Sequence, residues 1–213
     1  NKKIVLAEAL LESVIKDCKI KSYENLKKFK GKDLKGTICK HPFFKLGYDY
    51  EIPMLAARFV TTDQGTGIVH CAPSHGPDDF NLCLNNGIKA IETVDGDGKY
   101  TNNVALFEGL HIFKSNPIVI EKLKEQKNLL SNGELIHSYP HSWRSKAPLV
   151  HRATPQWFIS MDSHKLRNKA LKAINETTFY PSKGKERLKS MIETRPDWCV
   201  SRQRVWGVPL PIF

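Results

Sequence analysis

The apolar residues of this chain come in short bursts, and none approaches the roughly 20 consecutive residues that a membrane-crossing helix needs. A membrane protein is therefore not expected. Leu6, Leu10 and Val14, with Leu11, Ile15 and Cys18 beside them, recur at helical spacing from the first residues. Gly36–Cys39 is a candidate short strand, and Tyr48–Val60 reads as strand, turn and strand around Pro53. Gly65–Cys71 reads as a glycine-led strand that enters the loop 72–77. Pro77 then suits the first turn of a helix whose positive end Asp78 and Asp79 complement, and Asn86-Gly87 stops it. A strand-like stretch over 88–94 leads to an Asp95-Gly96-Asp97-Gly98 turn, and Asn116-Pro117 reads as the start of a helix that ends near Gly133. Residues 134–160 are extended and rich in Pro, His and Trp. Two more amphipathic helices follow, on Leu166, Ala170, Leu171 and Ile174 and on Leu188, Met191 and Ile192. Strands and helices mix without βα alternation, so the expected class is α+β.

Composition sharpens this in two places. The chain carries 33 Lys and Arg against 22 Asp and Glu, a net charge of +11. Such an excess suits a polyanionic partner, nucleic acid first, although 25 Lys to 8 Arg also fits a genome's base bias. The five cysteines are scattered with no CxxC pair, which supports neither a disulfide scaffold nor a cysteine zinc site and suggests a reducing compartment. Glu8, Glu12 and Asp17 interrupt the opening apolar stretch, so it is not read as a signal peptide, and the absence of a first Met suggests a piece of a longer protein.

The densest polar constellation is HCAPSHGPDDF, residues 70–80. A strand-to-helix turn fixes side chains on two rigid elements while its loop stays open, and titratable groups this close shift one another. A carboxylate here can hold an ammonium, and a histidine can orient a water. The plain alternative is that Asp78 and Asp79 only complement the helix end and His75 is a solvated loop residue. A metal hydrolase using His70, His75 and the Asp pair matches no standard ligand spacing.

The string GTGIVHCAPSHGPDDF, residues 65–80, resembles the GTGxVHxAPxHGxDD(Y/F) motif in the editing domain of the isoleucyl-tRNA synthetases. HSYPHSWRSKAPLVHRATPQWFISMD resembles the segment leaving that domain, and RPDWCVSRQRVWGVPLPIF the segment where the Rossmann-type catalytic domain resumes. The three stretches follow the family's order, and the bacterial or organellar type fits best. The resemblance implies a β-barrel-like editing domain with flanking helices over 1–140, its N-terminal part missing. A connecting segment over 141–195 and the edge of the catalytic domain over 196–213 would follow.

The implied activity is hydrolysis of valyl-tRNA(Ile) made in error. An apolar pocket rejects a substrate lacking one methylene by only roughly 1–3 kcal/mol, a limit for which these synthetases are themselves the standard illustration. A second, hydrolytic site makes up the difference. By resemblance, Asp79 anchors the α-ammonium of the aminoacyl ester and His70 shapes the pocket beside the attacking water. Gly65, Thr66, Gly67, His75 and Asp78 form the supporting, substrate-side loop. The implied partners are tRNA(Ile) and a valyl or isoleucyl ester. A monomer in the cytoplasm or an organellar matrix is expected. ATP and Mg belong to the whole enzyme, whose HIGH- and KMSKS-type signatures are not in this chain, so no cofactor is expected of these residues.

The family's threonine-rich peptide is not in the chain either, and Thr61-Thr62 is not it, so weak or no editing is expected of these residues alone. Some relatives bind zinc through cysteines where Ser142 and Ser145 stand here, so no metal is expected there despite His137 and His141. Arg202, Gln203 and Arg204 could line the catalytic cleft or be surface charges. Two rivals remain: a non-catalytic tRNA-binding module, and the editing domain of a valyl or leucyl relative.

Overall fold

The computed structural model describes residues 2–203 and 207–211. The chain divides into two compact units, residues 1–153 and 154–213, past the position 140 at which the resemblance would end an editing domain. Both mix helices with very short strands.

In the first unit a 3-10 turn, Glu8–Leu10, leads into α1 (Leu11–Asp17). Leu10 and Val14 are its buried face. The helix starts later than the apolar spacing suggests, because the Ala7 N–H donates to the Thr66 carbonyl at 2.8 Å and holds that end extended. β1 (Ile38–Cys39) pairs antiparallel with β2 (Ile52–Pro53). Strand, turn and strand over 48–60 thus reduces to one two-residue strand. Pro53 has no N–H to donate and ends it, and the pairing passes to Met54, whose N–H meets the Thr37 carbonyl at 2.8 Å.

Two further strand expectations fail for local reasons. Gly65 and Gly67 both take positive φ, +70° and +76°, which interrupts any ladder through Gly65–Cys71. The stretch 88–94 forms only a bridge, Val94 to Tyr100. That bridge closes the expected turn, in which Asp95 Oδ1 accepts the N–H groups of Asp97 and Lys99, each at 2.9 Å.

α2 (Pro77–Asn85) runs as the sequence implies, with Pro in its first turn and Gly87 at φ +74° just beyond its end. α3 (Ile112–Glu125) does not start at Asn116-Pro117. His111 caps it instead, its Nδ1 accepting the Phe113 N–H at 3.3 Å, so Pro117 lies inside and leaves the Phe113 carbonyl without a helical donor. The helix also ends early, because Lys127 turns left-handed at φ +57° and the Asn128 N–H returns to the Leu123 carbonyl at 3.0 Å.

The core of this unit is aromatic. Phe43, Tyr48 and Phe107 are buried together, with Val119 and Leu123 of α3 against them. Phe43 and Phe107 meet edge to face, centroids 5.6 Å apart. The Tyr48 hydroxyl donates to the Ala105 carbonyl at 2.6 Å. Burial and the neighbouring Tyr50 and Tyr100 push its pKa up to about 12, so it stays a donor.

The second unit is a helical hairpin, α4 (Leu166–Glu176) on α5 (Lys183–Glu193), with a two-stranded ladder of β3 (Phe158–Ile159) and β4 (Trp198–Cys199). Arg167 joins the two helices: Nη1 donates to the Ile192 carbonyl at 2.7 Å at the negative end of α5. Its Nε donates to Asp162 Oδ1 at 2.9 Å.

The α+β class therefore holds. The barrel does not: the described strands form two separate antiparallel ladders of two residues each, with no closed sheet among the described residues. No described helix is long and apolar enough to cross a membrane.

Candidate functional site

The loop between the Gly65–Cys71 stretch and α2 is fastened at several points. The buried Ser74 hydroxyl donates to the Ile91 carbonyl, and the Ser74 carbonyl accepts the Ala153 N–H at 2.8 Å. His75 uses both ring nitrogens. Nδ1 lies 2.9 Å from the His151 carbonyl and Nε2 2.6 Å from Thr93 Oγ1. A carbonyl can only accept, so Nδ1 carries the proton and His75 is a loop staple rather than a free base.

Along this loop the chain from Gly67 to His75 forms one wall of a cavity of about 1480 Å³. That volume exceeds the roughly 300–1,000 Å³ of a typical small-ligand site. His41, Tyr48 and Tyr50 stand in another part of the wall, and Lys27, Lys32 and Lys35 add cationic groups to it. His70 lines the cavity, is exposed, and has no hydrogen-bond partner among the described residues. Gly65, Thr66, Asp78 and Asp79 are not lining residues. Asp78 is exposed on the first turn of α2, and the Thr66 hydroxyl turns back to the Ile68 carbonyl at 3.1 Å.

Asp79 sits directly behind the wall. Its Oδ2 accepts the Ala72 N–H at 2.8 Å, and its carboxylate also engages the Cys71 thiol. Its negative charge reaches two thiols. Burial first, and then Asp79, pushes the Cys71 thiol up, and the same order of causes raises Cys83. Both shifts work against the thiolate form a nucleophile needs. Among the described residues no three His, Cys, Asp or Glu side chains stand close enough to hold a metal ion. His137 and His141 each meet the Tyr139 ring edge to face and bond neighbouring carbonyls through Nδ1.

Arg202 spends its guanidinium locally, Nη1 donating to the Cys199 and Ser201 carbonyls at 2.8 Å each, and Gln203 donates to Thr154. Arg204 lies outside the described residues. The sequence reading missed His41. It stands in the lysine-rich stretch 19–45, and the one available signal was a lone imidazole beside Pro42 and two phenylalanines. Burial, and then the charge of His70, lowers its pKa, which favours the neutral imidazole.

Gly67 sets how closely the cavity wall approaches the N-terminal segment. A Cβ there would stand 2.6 Å from the Ala7 Cβ, at a backbone angle few side chains adopt. Gly67→Ala is expected to cost roughly 2–4 kcal/mol, from the left-handed strain and the forced shift together. Urea titration read by proteolysis of this unit measures it. Adding Ala7→Gly should restore the steric share and leave the φ share.

The family model of tRNA synthetases class I (I, L, M and V) matches residues 1–213. The chain is 84% identical over 213 residues to the isoleucine–tRNA ligase of Pelagibacter ubique (strain HTCC1062), covering all of this chain and 24% of that protein. It is 47% identical over 223 residues to the isoleucine–tRNA ligase of Gluconobacter oxydans (strain 621H), covering 99% of this chain and 23% of that protein. It is 49% identical over 209 residues to that of Hahella chejuensis (strain KCTC 2396), covering 98% and 22%. The chain thus spans about a quarter of the length of the curated relatives it matches.

Proposed function

This chain belongs to the class I tRNA synthetases (I, L, M and V), and we propose that within an isoleucine–tRNA ligase it contributes the site that hydrolyses valyl-tRNA(Ile). The observation that carries this reading is the cavity wall from Gly67 to His75. It presents the partnerless His70 to an open space and has the Asp79 carboxylate immediately behind it. Residues 1–140 would form the editing part, 141–195 the connection, and 196–213 the return to the catalytic domain. ATP and Mg would serve isoleucine activation elsewhere in the whole ligase, and the hydrolysis needs neither.

The chemistry needs little beyond placement. The substrate is an ester already activated by its tRNA adenosine. Water adds to the carbonyl, the tetrahedral adduct collapses, the C–O bond to the ribose breaks, and the products are free valine and the ribose hydroxyl. Asp79 would hold the α-ammonium from behind the wall at Ala72, its charge fixing the carbonyl relative to the water. His70 would narrow the pocket against the larger isoleucine side chain and steady that water. The reaction calls for no thiol nucleophile, and the upward shifts of Cys71 and Cys83 work against their thiolate forms. Gly65, Thr66, Gly67, His75 and Asp78 would keep the loop in shape, and the lysines in the cavity wall suit the approaching phosphates.

The test is deacylation by the whole ligase of tRNA(Ile) charged with valine or with isoleucine. The valyl ester is expected to be cleared at least about tenfold faster. Equal rates, or preferential clearing of threonyl-tRNA, would exclude this reading and favour a relative of different specificity. Salt-sensitive tRNA binding with no hydrolysis of either ester would favour a docking module.

A further inference from the structure

We infer that His41 is a substrate-contacting hydrogen-bond donor of this cavity, its Nε2–H meeting an oxygen of the aminoacylated terminal ribose. The inference rests on the deacylation reading and extends it to a residue outside the loop motif.

Three constraints fix this imidazole. Its ring lies flat on Tyr48, with centroids 4.2 Å apart and planes 9° from parallel. Tyr48 is itself held by its bond to the Ala105 carbonyl. The Phe43 N–H donates to His41 Nδ1 at 3.0 Å, so Nδ1 carries no hydrogen and the neutral ring must bear its proton on Nε2. That Nε2–H has no protein acceptor among the described residues, although His41 is half-buried and lines the same cavity as His70. Burial, and then the charge of His70, lowers its basicity and so favours the neutral ring, whose tautomer the Phe43 bond sets. A donor oriented in advance on a rigid aromatic support suits an ester whose carbonyl and ribose oxygens offer only acceptors or exchangeable hydroxyls. His70 supplies the pocket wall, and His41 supplies direction.

Two substitutions separate this role from support of the loop. Asn at position 41 can still accept the Phe43 N–H but has no donor where Nε2 was. Gln can place a donor near Nε2 but gives up the Nδ1 acceptor. The readouts on the whole ligase are turnover of valyl-tRNA(Ile) and affinity for a non-hydrolysable valyl-adenosine amide. His41→Asn is expected to lower both by about tenfold, and His41→Gln to return both to within about threefold of the unaltered enzyme. Unchanged turnover and affinity in His41→Asn would overturn the inference, as would no recovery in His41→Gln. An unaltered ligase that neither binds the amide nor hydrolyses the ester would instead remove the deacylation reading beneath it.

Discussion

In the whole ligase, Asp79→Ala is expected to lower deacylation of valyl-tRNA(Ile) by roughly 10–100-fold and to leave isoleucine activation within about a factor of two. The size follows from the proposed contact. A hydrogen bond to a charged group contributes roughly 1.5–3 kcal/mol, and each 1.4 kcal/mol is a factor of ten. Asp79 has a second job, which the substitution also removes: its Oδ2 accepts the Ala72 N–H at 2.8 Å and so shapes the cavity wall. Asp79→Asn separates the two, because an amide oxygen still accepts the Ala72 N–H while the negative charge is gone. If the anchor is electrostatic, Asn is nearly as damaging as Ala. If Asn retains full deacylation, Asp79 only shapes the wall and the ammonium is held elsewhere. A steady-state deacylation assay on the two variants, beside a pyrophosphate-exchange assay for isoleucine, reads both outcomes.

The largest stability effect is expected at Phe107. Its ring is 4% exposed and meets Phe43 edge to face within the aromatic core. Truncation to Ala removes the ring and leaves a cavity that loops can only partly refill, a loss of roughly 3–5 kcal/mol. With a urea dependence of roughly 1–3 kcal/mol per molar, the midpoint for this unit should fall by about 1 M or more. Pulse proteolysis of the whole ligase across a urea series measures it. Phe107→Leu keeps most of the volume and should cost far less. A midpoint unmoved by Phe107→Ala would show that the aromatic cluster does not hold the unit together.

The helices were readable in the sequence wherever chemistry marked both ends. Pro77 and Gly87 bracket α2, and the apolar spacing from Leu166 to Ile174 marks α4. Where the marks conflicted, tertiary bonds decided. Asn116-Pro117 looks like a helix start, yet the His111 cap and the buried Ser115, whose hydroxyl bonds the Ile112 carbonyl at 2.8 Å, draw the start earlier and take Pro117 inside. The missing strands had another cause. The β-favouring residues of Gly65–Cys71 are real, but two left-handed glycines, one of them (Gly67) packed against Ala7, outweigh side-chain preference. For the site, the motif singled out the cavity wall and the staple His75. It could not reveal that His41, 29 positions before His70, shares the same cavity, because only folding brings the two together. Nor did it show that Asp79 stands behind the wall rather than in it.

The residues that end the first unit are also its rivets. His151 offers its carbonyl to His75, the Arg152 guanidinium reaches the Val94 carbonyl at 3.1 Å, and the Ala153 N–H closes on Ser74. Tension or slack in this exit strap therefore travels straight to the lining of the chamber. If the proposed hydrolysis is right, a one-residue insertion near Arg152 is expected to weaken it while leaving every side chain of the chamber chemically intact.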